Sequence, residues 1–234
     1  MTWERTADVV IVGSGAAGIS AALTAAASGA SVLVTTKDLT GGASPLAQGG
    51  LAAAIGPGDT AGAHAADTIA AGAGLCDADT VGALAAGAPG AIDWLVRQGT
   101  RLERERLRLE GGHSRNRITH SGDDATGAEV HRALLRALLA SRVEILDRAI
   151  AIDVSPGELL AAIIRPGGGL DPGLVRARAV ILAAGGLGQA YATTSNPPGA
   201  TGDALAMAAR AGAVLRDPEF VQFHPTVLWR DGAT

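Results

Sequence analysis

The stretch Val9-Val10-Ile11-Val12-Gly13-Ser14-Gly15-Ala16-Ala17-Gly18, with the alanine-rich run that follows it to about Ser28, decides how this chain folds. Four consecutive β-branched apolar residues read as a buried strand, and the Ala-rich run reads as a helix. Between them Gly13 permits a tight turn, Gly15 lets the backbone approach a pyrophosphate, and Gly18 lets helix and strand pack closely. A diphosphate would then meet the helix N-terminus and its free N–H groups. With 33 glycines in 234 residues the bare G-x-G-x-x-G pattern is weak, so the strand ahead of it and the helix behind it carry the reading.

Working outward, Ser31 to Thr36 reads as a second strand that completes a βαβ unit, so the sheet is expected to be parallel. Thr40 to Gly58 is rich in Gly and Ala without periodicity, which in a compact domain marks a functional loop. Helices are expected at about 60–72, at 78–98 with Ile92, Leu95 and Val96 on one face, and at 126–140. Thr126 and Glu129 have the spacing of a capping box at the start of the last of these. Val143–Val154, Leu159–Ile164 and Leu174–Leu182 read as strands, the last two joined by a turn over Pro166–Gly173, and a second glycine turn follows at Ala184-Gly185-Gly186. The expected fold is α/β, a Rossmann-like domain whose parallel sheet carries a small antiparallel excursion.

Composition narrows the function classes. Hydrophobic residues make up 47% of the chain and aromatics only 3%, so the core must be built from Ala, Val, Leu and Ile. The net charge is −4 and the arginines are scattered among acids, which leaves no electrostatic footprint for nucleic acid. Cys76 is the single cysteine; it excludes an internal disulfide and a cysteine-based zinc site, and a reducing, cytoplasmic setting is expected. Met1 to Asp8 lacks the layout of a signal peptide. The uncharged stretches Leu39–Gly58 and Ala179–Gly202 are broken by Gly, Pro and polar residues, so no membrane association is expected.

A ribose-binding acid is expected at the end of the second strand, about 20 residues beyond the last glycine of the turn. Thr36 stands there and can still hydrogen-bond a ribose hydroxyl. Asp38, two residues on, is the other reading, or it simply caps a turn.

Six further motifs occur in order: Ser44-Pro45-Leu46-Ala47-Gln48-Gly49-Gly50, Glu110-Gly111-Gly112-His113-Ser114, Asp124-Ala125-Thr126-Gly127, Ala184-Gly185-Gly186, Thr201-Gly202-Asp203 and Gln222-Phe223-His224-Pro225-Thr226. Together they resemble the fumarate reductase and succinate dehydrogenase flavoproteins, and within that group the L-aspartate oxidases. The resemblance implies FAD as cofactor: Ser14 to Ala17 at its diphosphate, Thr36 and Lys37 on the adenosine side, and Ile150 and Ala151 bordering the adenine. It further implies Ala43 to Gly50, including Ser44, Gln48 and Gly49, along the flavin, and Asp203 near the ribityl and diphosphate region. The respiratory relatives carry a covalent flavin on a histidine where this chain has Ala43, which implies noncovalent FAD here.

The same resemblance makes Glu110 the partner of a substrate α-ammonium group and His224 a hydrogen-bond donor to a substrate carboxylate. Physics agrees on Glu110, because an acid within a dicarboxylate site makes sense only if the substrate also carries a positive charge. Without the resemblance, Glu110 is equally a surface acid beside the Arg-rich run Arg101 to Arg108. His113 and His120 have no common metal-pair spacing and are read as local hydrogen-bonding groups, with no metal site expected. The implied reaction is oxidation of L-aspartate to iminoaspartate with O₂ or fumarate as acceptor, which would feed quinolinate synthase in de novo NAD biosynthesis. Another flavoprotein of the group, or a noncatalytic FAD-binding remnant, are the alternatives. Residues 1–222 are expected to form the FAD-binding domain and 223–234 the start of a truncated substrate-binding cap, which would leave the isolated chain inactive.

Overall fold

A computed structural model describes residues 1–122 and 124–223. In chain order its elements are β1 (Trp3–Val12), α1 (Ala16–Ala27), β2 (Val32–Thr35), β3 (Leu51–Ala52), α2 (Ala61–Ala71), α3 (Ala78–Arg97), β4 (Ile118–Thr119), α4 (Thr126–Leu139), β5 (Glu144–Leu146), β6 (Ala149–Ser155), β7 (Glu158–Ile164), β8 (Leu170–Leu182) and α5 (Asp203–Arg210). The chain divides into two compact units: Met1–Ala43 together with the chain from Leu135 onward, and Ser44–Leu134.

The first unit is built on a six-stranded sheet of order β5-β2-β1-β8-β7-β6. β5, β2, β1 and β8 run parallel, whereas β7 is antiparallel to β8 and β6 to β7. All four residues of β2 are buried, as a parallel strand covered on both faces requires. Val10, Val12, Leu33, Leu159, Val175 and Met207 form the core, with Trp3 and Val180 packed against it. α1 buries Gly18, Ile19, Ala22 and Ala26, a narrow stripe of mostly small side chains that brings its backbone close to the sheet.

Two expectations about this unit need correction. Val143–Val154 is not one strand: β5 ends at Leu146 and β6 begins at Ala149, and the two stand at opposite ends of the strand order. Arg148 takes a left-handed φ of 53° at the break, and the Asp147 carboxylate accepts the Leu39 N–H at 3.0 Å. Apolar residues stand on both sides of the charged pair Asp147-Arg148, which reads as easily as an exposed point of one strand as a break. Both ends of the order are tied to Thr36, whose N–H donates to the Leu146 carbonyl and whose carbonyl accepts the Ala149 N–H. The turn between β7 and β8 is also shorter than expected, because Leu170 to Gly173 are already paired with β7 and only Arg165 to Gly169 turn. Gly167 and Gly168, both at φ 91°, make that turn. Gly173 lies against the Trp3 indole, which a Cβ there would meet at 2.0 Å, and the Trp3 Nε1–H donates to the Asp171 carbonyl at 2.9 Å.

The second unit pairs β3 with β4 antiparallel and packs α2 against α3. Both helices start on side-chain caps: Thr60 accepts the Ala63 N–H at 3.1 Å and Asp77 accepts the Thr80 N–H at 2.8 Å. Of the face expected on α3, Ile92 is buried and Val96 is exposed. The capping box is not formed. Thr126 is the first helical residue, its hydroxyl accepts the Ser121 N–H, and the Glu129 carboxylate accepts the Arg101 N–H and pairs with Arg132. Loop donors outside the helix compete for both side chains and win them.

Candidate functional site

In the first unit, β1, β2 and β8 run parallel and therefore end on the same side, at Gly13, Thr36 and Ala183–Gly185. Ligands of open α/β sheets bind at such carboxyl ends. Gly13 sits at φ 109° and donates its N–H to the Thr35 carbonyl at 2.9 Å, and a Cβ there would stand 2.4 Å from the Ala183 carbonyl oxygen. A Cβ on Gly18 would stand 2.0 Å from the Gly13 carbonyl oxygen. Only glycine fits either position. Gly15 is the N-cap of α1, whose first turn holds no acid, so the positive end of the helix dipole is directed at the glycine turn.

Around this cradle the polar side chains are tied to one another. Ser14 is buried, and its hydroxyl lies 2.8 Å from that of Thr36; both are within hydrogen-bond distance of the Asp38 carbonyl. Asp38 itself caps a turn by accepting the Thr40 N–H at 3.0 Å. The Lys37 ammonium donates to the Gly199 carbonyl, the Thr201 hydroxyl and Asp203 Oδ2 at 3.0, 2.8 and 2.8 Å. Burial raises the Asp203 carboxyl, but the hydrogen bonds from Lys37 and Thr201 outweigh it and hold the group below the usual aspartate range. Ile150 and Ala151 pair with Ala162 and Ala161 of β7 on the end strand β6, just before its register shifts. Gly185 turns the chain at φ 79° beyond β8, next to Ala184, which packs on the core.

In the second unit, Gln48 and Gly49 are exposed and Gly50 is fixed by crowding: a Cβ there would meet Ile118 Cγ2 at 2.4 Å and His120 Cε1 at 2.7 Å. Gly127 donates its N–H to the Ala47 carbonyl, and a Cβ would stand 2.3 Å from the Ser44 carbonyl, so the Asp-Ala-Thr-Gly segment seats the turn that precedes Gln48. Ala43 is exposed and belongs to the first unit. Glu110 Oε1 lies 2.9 Å from His120 Nε2, with the carboxylate 46% exposed and the imidazole only 4%.

Sequence reading missed the centre of this unit. Arg117 has no exposed side-chain surface; its guanidinium takes both Asp59 oxygens at 2.9 Å and donates to Asp67 Oδ2 at 2.6 Å. Asp67 Oδ2 also accepts the Ser114 N–H and hydroxyl, each at 2.8 Å, and His113 Nδ1 stands 3.4 Å from Arg117 Nη1. Those hydrogen bonds, Ser114's first, pull the Asp67 carboxyl down to about 2, and Arg117 lowers Asp59. Burial and the Arg117 charge push His64 below the usual imidazole range. The His and Ser of Glu-Gly-Gly-His-Ser are thus held from beneath. The available sequence signal is Arg117 directly ahead of the short strand Ile118–Thr119.

His224 lies outside the described residues, as does most of the Phe-His-Pro-Thr segment; Phe223 sets its ring edge-on to Tyr191 at 5.7 Å. Among the described residues no three His, Cys, Asp or Glu gather as a metal site, and no helix is long and apolar enough to cross a membrane.

A turn whose Gly13 and Gly18 admit no Cβ, set at the carboxyl ends of parallel strands and leading into a helix N-terminus, fits the diphosphate of a dinucleotide. The family model for the FAD binding domain matches residues 8–234; the chain belongs to that family, and its cofactor is FAD. More particularly, it is similar to L-aspartate oxidases: 45% identical over 239 residues to that of Streptomyces coelicolor (97% of this chain, 41% of that protein) and 46% over 242 residues to that of Mycobacterium leprae (98% and 45%). Among solved structures, a mutant E. coli quinol fumarate reductase FrdA superposes with a TM-score of 0.90 at 31% identity, covering 99% of this chain and 41% of that one. The chain therefore spans about two-fifths of the length of these relatives.

Proposed function

We propose that this chain serves the FAD-dependent oxidation of L-aspartate to iminoaspartate, with O₂ or fumarate as electron acceptor and quinolinate synthase as consumer of the product. The observation that carries the reading is Glu110: a half-exposed carboxylate in the Glu-Gly-Gly-His-Ser segment, fixed through one oxygen by a buried imidazole. A dicarboxylate substrate repels such a group unless it also offers a cation, and L-aspartate offers its α-ammonium.

FAD, when bound, supplies the acceptor for the two electrons that leave the substrate Cα as hydride. Within the first unit, the backbone from Gly13 to Gly18 would hold the diphosphate and Thr36, Lys37, Ile150 and Ala151 the adenosine side, with Asp203 near the ribityl chain. Ala43 has no nucleophilic atom, so the cofactor is proposed to be noncovalent. Glu110 would bind and orient the ammonium group, and His224 a substrate carboxylate.

In the native FAD-loaded protein, Glu110→Gln should impair aspartate oxidation more than fumarate reduction. Only aspartate loses a charge-assisted partner, on the order of 1.5–3 kcal/mol, or roughly ten- to a hundredfold in the ratio of the two kcat/KM values. Equal losses on both substrates would remove Glu110 from the site. Expressed by itself, Met1–Thr234 should give no aspartate-dependent peroxide above free FAD, since the relatives are more than twice as long; turnover in that assay would show that groups within these residues suffice.

A further inference from the structure

The geometry points to His120 as the positioning residue for Glu110, an inference that rests on Glu110 being the ammonium partner. His120 Nε2 lies 2.9 Å from Glu110 Oε1, and the exposure of the two side chains, 4% against 46%, makes the imidazole the fixed member of the pair. Its other ring nitrogen, Nδ1, is buried and has no hydrogen-bond partner among the described residues. A neutral imidazole carries one proton, and only Nε2 has an acceptor in reach, so the ring donates Nε2–H to the carboxylate. That leaves Oε2, which has no partner among the described residues, as the oxygen free to accept from a cation.

The imidazole is held by what surrounds it. Gly50 is packed so tightly on the ring that a Cβ would reach Cε1 at 2.7 Å and Nε2 at 2.8 Å, and the His120 carbonyl accepts the Glu103 N–H at 2.8 Å. At the far end of the Glu110 segment, Ser114 is bound twice by Asp67, itself clamped by Arg117. Between these anchors the His113 N–H closes a turn on the Glu110 carbonyl at 3.2 Å. Backbone and one carboxylate oxygen are thus both set before any ligand arrives. A glutamate so held loses less rotamer freedom on binding, which converts to tighter capture of a cationic group.

The role makes His120 a determinant of preference for substrates that carry an ammonium group. Its test is the ratio of kcat/KM for aspartate oxidation to that for fumarate reduction in the native FAD-loaded protein. H120F, which keeps a ring but no donor, should lower the ratio about three- to tenfold, chiefly through the KM for aspartate. H120Q, whose amide can place a donor near the Nε2 position, should restore most of it. H120F added to E110Q should cost nothing further in the ratio, because the two act through one contact. A ratio that H120F leaves unchanged, an equal fall on both substrates, or additive losses in the double variant would overturn the proposal. A ratio unmoved by E110Q would instead overturn the reading of Glu110 on which it rests. Should H120F fail to fold, imidazole ¹⁵N NMR of the unmodified protein at alkaline pH decides: an Nε2–H tautomer that is altered in E110Q supports the contact, and an Nδ1–H tautomer refutes it.

Discussion

In the first unit the side chains withdrawn from water are Val10, Ile11, Leu33, Leu159 and Val175, with Ser14, Thr35 and Thr36 the buried polar ones among the described residues. In the second, His64, Arg117, Thr119, His120 and Thr126 lie as deep as Ile92 or Ile118. The candidate cofactor site of the first unit is made of backbone, a glycine turn at a helix end and strand ends. The candidate site of the second unit is made of side chains, beside a charged cluster of Arg117, Asp59 and Asp67. A backbone site tolerates change in most side chains and fails at its glycines. A side-chain site fails wherever one partner leaves a charge buried and alone.

The largest effect expected is at Arg117. Arg117→Met leaves Asp59 and Asp67 without their cation, a loss of about 3–5 kcal/mol for breaking a buried ion pair. Native-state hydrogen exchange should show the loss in Ser44–Leu134 while the amides of β1 and β2 keep their protection; uniform loss across both units would break the contrast between them. Next is Gly15→Val. Gly15 has φ −71°, so valine is tolerated by the backbone and the fold should survive, but the branched side chain fills space the diphosphate needs. FAD retention should fall by up to roughly a hundredfold, the upper end of the ~1–3 kcal/mol cost of overfilling a site, with unchanged far-UV circular dichroism. A variant that stays yellow and saturated would sink the cradle.

The smallest effect sharpens the comparison by pH. The Asp67 carboxyl is depressed to about 2 and Asp59 is lowered as well. Since both are depressed on folding, their stabilisation is fully present above the ordinary aspartate pKa of about 3.9 and is lost as pH falls from there toward about 2. The Ser114 amide, whose acceptor is Asp67, should lose protection across that window before Val34 in β2 does. Simultaneous loss would mean that the cluster contributes nothing local.

The same contrast explains what the sequence disclosed. Gly13, Gly15 and Gly18 are legible because a backbone site leaves its mark within six consecutive positions, and the parallel order of β1 and β2 follows from the βαβ spacing. The cluster at Arg117 is not, because its partners Asp59 and Asp67 stand 58 and 50 residues away and ordinary surface acids look the same. Glu129 looked like half of a cap, since nothing local announces that the Arg101 N–H will reach it first. The break between β5 and β6 was hidden for a related reason: only the charged pair Asp147-Arg148 marks it, with apolar residues on both sides, and such a pair also occurs within exposed strands. Glu110 was legible as a motif, but its contact with His120 emerges only once both are placed.

The packing of Trp3 on Gly173 has a consequence for how the molecule comes into being. β1 finds its first neighbour, β2, about twenty residues later, but its other edge is closed by β8, so that Trp3 pairs with a residue made 170 positions after it. At ribosomal speeds of ~5–20 residues per second, the middle of the sheet stays half open for about 10–30 s while the intervening chain emerges. During that interval Val9 to Val12 present an unpaired apolar edge, the kind of surface that chaperones cover and that misassembles when they do not. Ribosome-bound chains halted before β8 should therefore be the most aggregation-prone species in the life of this protein.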